Sequence, residues 1–367
     1  MTALSLLLTG YWLLVGSFSS GKDEGIRVFD FNPATAQAAY AGGLSGINGP
    51  SFLCVAPPVA ARGSATAGYL RVYAVGEAGA GKSSANYLRL DARRGTLRLM
   101  GSQPSPGAGP CHITLAPDGR TVLTANYTGG SISAFPTAPD GRLLPGREFR
   151  FHGSSVHPER QTKPYLHSIF FSPDRRWMWC SDLGTDMIHA FPLDADGTPQ
   201  LADSLCVSHF LRPGLGPRHL CFAADGQTAY SLGELSDEVC TLRYLPDGSI
   251  RVYQVCPADS LHAGGSADIH LSADGRFLYA SHRLKGDGIS VFSVQPDGML
   301  RRIAYQPVGS HPRHFALSPD GRFLLVACAY DDVIQVFRRD EATGLLSDTG
   351  IRIPTPRPVC LVFAEKQ

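Results

Sequence analysis

The chain has 367 residues, 43% of them apolar and only 18% charged, with a net charge of +1. That apolar content supports a substantial core, and a charged fraction below the ~25% of a typical soluble domain argues against a disordered chain. The 40 glycines and 27 prolines interrupt long helices, which excludes a coiled coil or a helical bundle.

Arginine heavily outnumbers lysine, yet basic runs stop at pairs such as Arg301-Arg302 and Arg338-Arg339. No dense positive surface forms, so nucleic acid is not an expected partner. The 9 cysteines are an odd count with no C-x-x-C pair, which argues against a disulfide framework or a zinc knuckle and fits a reducing compartment. A cytoplasmic location is the expectation.

In chain order, the first apolar stretch is Leu4 to Val15. No Lys or Arg precedes it, the first being Lys22, and Thr9 and Gly10 interrupt it. It fits neither a secretory signal nor the ~20 residues that span a membrane. A strand over Trp12 to Val15 is expected instead, then strands from Gly25 to Phe31 and near Ala39.

From Ser51 onward a pattern repeats six times: apolar strand, tight turn, second strand, polar loop, third strand, second turn, fourth strand. The first turn reads Pro117-Asp118-Gly119, Pro173-Asp174-Arg175, Ala224-Asp225-Gly226, Ala273-Asp274-Gly275 and Pro319-Asp320-Gly321. Those aspartates stand 56, 51, 49 and 46 residues apart. In the first unit, which starts at Ser51-Phe52-Leu53-Cys54, an insertion from Pro57 to Gly68 replaces the short turn. Second turns fall at Asp140-Gly141, Asp196-Gly197, Asp247-Gly248 and Asp297-Gly298. Asp-Gly between alternating apolar stretches signals a hairpin, because glycine accepts the positive φ of such turns.

Units of ~50 residues with four antiparallel strands have the size of propeller blades. Six units leave one lone strand near residues 358–364 and three strands within residues 12–45. Together these complete a seventh blade, closing the ring and removing an exposed edge. The expectation is an all-β, seven-bladed propeller forming a single domain over residues 1–367.

In a blade, residues leading into strand one and out of strand two meet at one mouth. That rim collects His112, His167, His219 and His314, with Arg218, Arg283 and Arg313. Glu77, Glu234 and Asp182 join them. Guanidinium groups bind carboxylate or phosphate bidentately, and a neighbouring Glu or His can move a proton. No G-x-S-x-G elbow lies at the rim, and no H-x-H or H-x-x-x-H spacing occurs among its histidines, so neither an acyl-enzyme nor a metal is expected. Gly76 to Ser83 matches the phosphate-loop pattern G-x-x-x-x-G-K-S, but Asn86 to Leu90 alternates like a strand where that loop requires a helix. It is read as a Gly-rich connection.

These residues resemble the bacterial seven-bladed propeller lactonase family, which includes propeller-type 6-phosphogluconolactonase and the fungal 3-carboxy-cis,cis-muconate lactonizing enzyme. The resemblance spans nearly the whole chain. It is carried by Leu14 to Phe18, Arg160-Gln161 with Pro164, His167-Ser168, Asp182 to Asp186 and Gly216 to His219. Gly233 to Ser236, Ala267 to His270 and Pro312 to Phe315 complete the set. It implies catalytic roles for His167, Arg218, Glu234 and Arg283, with no cofactor. The candidate contacts to substrate are His112, Tyr127, Asp182, His219 and Arg313. The implied activity is hydrolysis of an anionic sugar δ-lactone, most simply 6-phosphogluconolactone, by a monomer or weak homodimer with no membrane partner. Glu234 assisted by His167 would activate water, and Arg218 and Arg283 would hold the anionic end and the developing oxyanion. Tyr165, Gly233 and His282 depart from the family pattern, as does the insertion. The competing expectations are a lactonizing cycloisomerase of a carboxylated muconate and a non-enzymatic binding scaffold on the same face.

Overall fold

A computed structural model describes residues 10–57 and 68–367. The start of the first apolar stretch and most of the insertion lie outside the described residues. The rest forms 28 strands in seven four-stranded antiparallel sheets arranged as a propeller. Blade one holds β4 (Leu53–Val55), β5 (Tyr69–Gly76), β6 (Ser84–Asp91) and β7 (Leu97–Pro104). Blade two holds β8 (Pro110–Leu115), β9 (Thr121–Asn126), β10 (Ser131–Pro136) and β11 (Arg147–Arg150). Blade three holds β12 (Leu166–Phe171), β13 (Trp177–Asp182), β14 (Met187–Pro192) and β15 (Val207–Phe210). Blade four holds β16 (Pro217–Phe222), β17 (Thr228–Gly233), β18 (Glu238–Tyr244) and β19 (Ile250–Pro257). Blade five holds β20 (Ser266–Leu271), β21 (Phe277–His282), β22 (Gly288–Val294) and β23 (Leu300–Pro307). Blade six holds β24 (Pro312–Leu317), β25 (Phe323–Cys328), β26 (Val333–Arg339) and β27 (Leu346–Pro354).

Blade seven is built from both ends of the chain, in the order β28 (Pro358–Glu365), β1 (Tyr11–Ser17), β2 (Ile26–Phe31) and β3 (Ala38–Leu44). Leu14 pairs with Val362 and Trp12 with Ala364, so the C-terminal strand is innermost and the N-terminal ones complete the sheet outward. The expected closure is the one observed.

Neighbouring blades pack face to face through seven apolar clusters, one at each junction. Every blade is therefore buried on both faces, which explains inner and second strands that are buried almost throughout rather than at alternate positions. Polar stitches reinforce the junctions. The hydroxyls of Tyr73, Tyr230 and Tyr279 donate to the carbonyls of Gly141, Gly298 and Gly344 in the next blade, at 2.9, 2.8 and 2.8 Å. Those glycines have φ of 90°, 83° and 74°, so the second turn of the blade, Asp-Gly in two cases and Thr343-Gly344 in the third, both reverses the chain and offers a carbonyl to its neighbour. Trp12 does the same across the closing junction, its Nε1 donating to Ala92 O at 2.8 Å.

A chain ending at Arg357 lacks β28, which removes the innermost strand of blade seven and opens two junction cores. It is expected to lose cooperative unfolding altogether, measured as the absence of a sharp calorimetric transition that the full chain shows.

Candidate active site

The site begins with an irregularity in the inner strands. In blades two to six and in blade seven, the register against the second strand slips within the first few residues of the inner strand. One extra residue is accommodated at each slip; in blade five Ala267 and Asp268 stand opposite Ser281 alone. The residues at the slips are, in blade order, Cys111, His167, Arg218, Ala267 with Asp268, Arg313 and Val359. A bulge re-aims the side chain it carries. Of these residues, Cys111, His167, Arg218, Arg313 and Val359 wall the axial cavity.

At the mouth, Glu234 follows the end of β17 and is gripped by three arginines. Arg218 Nε donates to Glu234 Oε2 at 2.8 Å and Arg283 Nη2 lies 3.3 Å from the same oxygen. Arg160 Nη2 donates to Oε1 at 2.6 Å and to Tyr127 Oη at 3.1 Å. The three differ in how tightly they are held. Arg218 is 1% exposed and its Nη1 donates to Ala267 O at 2.5 Å, while Arg283 Nε donates to Gly265 O at 2.8 Å. The Arg160 side chain is 37% exposed. Burial alone would raise the Glu234 carboxyl, but Arg283, Arg218 and Arg160 override it and hold its pKa at about 2.

The scaffold under this cluster is a pair of aspartates at positive φ in the turn after the second strand, Asp186 (60°) and Asp237 (55°). Asp186 accepts from the amides of Gly214 and Gly216, both at 2.7 Å, and from Gln161 Nε2 at 2.7 Å. Asp237 accepts from the amides of Gly264, Gly265 and Ser266 at 2.6, 3.2 and 3.0 Å. Each carboxylate thus fixes the loop leading into the next blade. The carbonyls that hold Arg283 and Arg218 belong to Gly265 and Ala267, beside the amides held by Asp237.

The remaining rim residues separate into distinct places. His167 is buried at the floor of the mouth, its ring 5.5 Å from that of Tyr127 and 5.3 Å from that of His219. Burial holds its pKa well below the usual imidazole value, so it is neutral at pH 7. His112, His219 and His314 lie deeper, packed around Phe52 at 4.3, 5.9 and 5.7 Å. The cavity that His219 and His314 share with His167 measures about 10 Å³, room for at most one water. His112 and His219, expected to touch substrate, are each 3% exposed and pack against Phe52. His219 Nδ1 meets Asp268 Oδ1 at 2.8 Å instead.

Asp182, also expected to touch substrate, is fully buried and spends its oxygens on its own turn. It accepts from the amides of Tyr165 and Gly184 and the hydroxyl of Thr185 at 2.7, 3.0 and 2.7 Å. Tyr127 and Arg313 do face the mouth region, Tyr127 through Arg160 and Arg313 through the axial cavity. Glu77 stands on the far side of the mouth and accepts from Ser51 Oγ.

Asp268, His270 and His314 have the residue types of a metal site. However, His314 Nδ1 accepts from the Leu361 amide at 3.3 Å, so its Nε2 carries the proton and points at Asp268 Oδ2, 3.5 Å away. The set reads as a hydrogen-bonded charge cluster rather than a set of free lone pairs. The Gly76–Ser83 loop runs directly into β6, and Ser83 Oγ donates to Ala78 O at 2.6 Å. It is a connection, not a phosphate cradle.

Sequence reading missed Arg160 as a site residue because it sits on the long loop before blade three rather than at a blade repeat position. It also missed Phe52 as the axial plug and Asp237 as the clamp, for which a polar residue at the end of each hairpin turn was the available signal.

With this geometry the comparisons with known proteins agree. The model of the seven-bladed β-propeller lactonase family matches residues 12–363, and the chain belongs to that family. A 6-phosphogluconolactonase of Formosa agariphila is 35% identical over 91% of this chain and 94% of its own length. One of Bacillus subtilis is 32% identical over 97% and 99%. Among solved structures, a candidate 6-phosphogluconolactonase of Bacteroides fragilis superposes with a TM-score of 0.88 at 40% identity, covering 98% of this chain and 99% of that one. A periplasmic gluconolactonase of Pseudomonas aeruginosa gives 0.86 at 32% identity, covering 98% and 100%.

Asp237→Asn keeps a residue that tolerates positive φ but removes the charge and one acceptor. It is expected to destabilise the fold by about 1.5–3 kcal/mol, and to lower turnover through the displaced Arg218 and Arg283. Denaturant unfolding and steady-state kinetics on the same sample measure both.

Burial also holds five deeply buried histidines below their ordinary pKa: His219 at about 3, His282 and His314 at about 4, and His112 and His167 well below 6.5. The less deeply buried His209 and His311 shift the same way. Depressed values mean the unfolded chain takes up protons first on acidification. Stability from these groups is complete above about pH 6.5 and is lost progressively below it, each adding a slope of about 1.4 kcal/mol per pH unit. Glu234 adds its own loss lower down, as pH falls from about 4.5 towards 2. The unfolding midpoint is expected to be level from pH 8 to 7 and to drop steeply from 6.5 to 4, read by calorimetry.

Proposed function

We propose that this protein hydrolyses the δ-lactone of a phosphorylated sugar acid, 6-phospho-glucono-1,5-lactone, to the open acid. The observation that carries the proposal is the Glu234 carboxylate ringed by Arg218, Arg283 and Arg160, with only Arg160 reaching solvent. Three guanidinium groups around one carboxylate leave a net positive mouth that draws in an anion. The names of the Formosa agariphila and Bacillus subtilis relatives support the same substrate.

In this reading the lactone carbonyl oxygen takes the outward guanidinium N–H groups of Arg160 as the oxyanion donor. Drawing Arg160 to the substrate removes its bond to Glu234 Oε1, and the carboxylate becomes more basic as one of its cations turns away. Glu234 Oε1 then accepts a proton from water as the water oxygen bonds to C1. The tetrahedral oxyanion collapses, the ring C–O bond breaks, and the ring oxygen leaves with the proton returned from Glu234. Arg218 and Arg283 stay fixed, keeping the carboxylate ionised and aimed. His167, neutral at the floor, and Tyr127, bonded to Arg160, complete the wall. His112, His219 and Asp182 act through packing and turn geometry, and Arg313 contributes positive charge.

A cytoplasmic location for a monomer or weak homodimer fits nine cysteines that are all thiols. No helix among the described residues is long and apolar enough to cross a membrane.

Purified protein is expected to accelerate decay of 6-phosphogluconolactone, followed by proton release at constant pH. Glu234→Gln is expected to lower kcat/KM by about 10²-fold or more. Equal decay with and without protein, or full activity in the Gln variant, overturns the reading.

A further inference from the structure

A second recess opens on the same face as the mouth. It lies over blade seven, measures about 640 Å³, and is lined by Ser17, Phe18, Asp23, Arg27, Glu77 and Arg357 among others. It adjoins the axial cavity, because Glu77 bonds Ser51 of that cavity's wall and Phe18 carries Arg313 of the same wall. Arg357 is the blade-seven counterpart of the residues that lead into the other inner strands. Its amide donates to Asp332 Oδ1 at 2.8 Å and its carbonyl accepts from the Phe18 amide at 3.1 Å. Asp332 has φ 54°, so the device that places Arg218 and Arg283 also places Arg357.

The charges in this recess are unequal in how they are engaged. Glu24 accepts from Tyr40 Oη at 2.8 Å and lies 3.5 Å from Arg27. Asp23 accepts from Ser20 at 3.2 Å, and Glu77 from Ser51. Arg357 and Arg313, by contrast, both lie over the Phe18 ring, at 5.5 and 5.2 Å from its centroid. Among the described residues neither guanidinium donates a hydrogen bond or meets a carboxylate within 4.0 Å. Ser17, only 1% exposed on the same wall, has a hydroxyl with no partner. The recess therefore offers one unengaged cation, Arg357, and a free hydroxyl beside carboxylates that accept from neighbouring hydroxyls, with Arg313 of the axial cavity wall over the same Phe18 ring. Arg218 and Arg283, expected from sequence to hold the anionic end of the substrate, are committed to Glu234 and to backbone carbonyls.

We propose that the recess over blade seven is the subsite for the distal anion of the substrate. Arg357 is its principal cation, and Arg313 is the cation linking it to the mouth. The occupant is a phosphate ester on a polyhydroxylated chain, since a guanidinium offers paired donors to phosphate and the engaged carboxylates suit hydroxyl groups along the chain. This rests on the lactonase reading and makes it specific: the enzyme selects the phosphorylated over the unphosphorylated lactone through residues outside the Glu234 cluster.

The test compares 6-phosphogluconolactone with glucono-1,5-lactone for the unaltered protein and for Arg357→Gln, with Arg357→Lys as the conservative variant. Binding of 6-phosphogluconate and of gluconate is measured by calorimetry on the same samples. Arg357→Gln is expected to lower the ratio of kcat/KM for phosphorylated over unphosphorylated lactone at least tenfold, mainly through KM, with Lys recovering part of it. It is also expected to weaken 6-phosphogluconate binding by a similar factor. An unchanged ratio and unchanged 6-phosphogluconate affinity overturn the subsite while leaving the lactonase reading intact. If the unaltered protein hydrolyses neither lactone but binds 6-phosphogluconate in an Arg357-dependent way, the subsite stands and the lactonase reading falls.

Discussion

Everything at the mouth depends on extra residues in the inner strands of six blades. A regular inner strand, buried on both faces, would direct its side chains into the junction cores, where charge is costly. The bulge takes one residue out of that alternation, and His167, Arg218 and Arg313 are such residues. Repetition makes the arrangement cheap to specify. One local rule, applied at each blade, gathers side chains that are far apart in sequence, as with Arg218 and Arg313, around one axis.

The second constraint is electrostatic. A carboxylate buried beside a channel needs compensation, and Glu234 receives more positive charge than it neutralises. Two of its arginines are anchored to carbonyls whose loop is itself held by Asp237, so they have little freedom to follow a ligand. The excess positive charge is therefore focused on the one guanidinium that can move. A symmetric trap of three mobile arginines would bind anions as well, but would leave the carboxylate without a fixed direction.

Much of this was legible in the sequence. The Asp-Gly turns marked most hairpins of blades two to six, and the leftover strands at the two ends required closure in blade seven, because hairpin chemistry is local. His167, Arg218, Glu234 and Arg283 were legible as a group because lead-in and lead-out positions follow from blade topology. What stayed hidden depends on depth or on breaks in the repeat. His112 and His219 share the lead-in signature of His167 but lie one layer lower, around Phe52, and a bulge that shifts one residue leaves no trace in apolar alternation. Asp182 looked like a rim acid, yet its oxygens close its own turn. Arg160 and Arg357 escaped because one lies on a long loop and the other in a lead-in, Thr355 to Pro358, with no histidine to mark it.

The same hairpin position serves two opposite purposes around the ring. Asp186, Asp237 and Asp332 occupy the left-handed position and reach into the next blade, where they bind amides that would otherwise be left without partners. Glu234, three residues before Asp237, points to the mouth. Clamp and mouth carboxylate thus share one turn, and the strain of the left-handed residue is offset by the amides it satisfies. A turn so constrained places Glu234 with little freedom of its own, which is why a carboxylate on a loop can be held as firmly as one on a strand. The clamp also runs in one direction, from blades three, four and six to the blade that follows each. The lead-in to the seventh blade is accordingly fixed by Asp332 of the sixth, and Phe18, from the other end of the chain, is bonded to that lead-in. The closure that completes the fold therefore also shapes the recess beside the axial cavity.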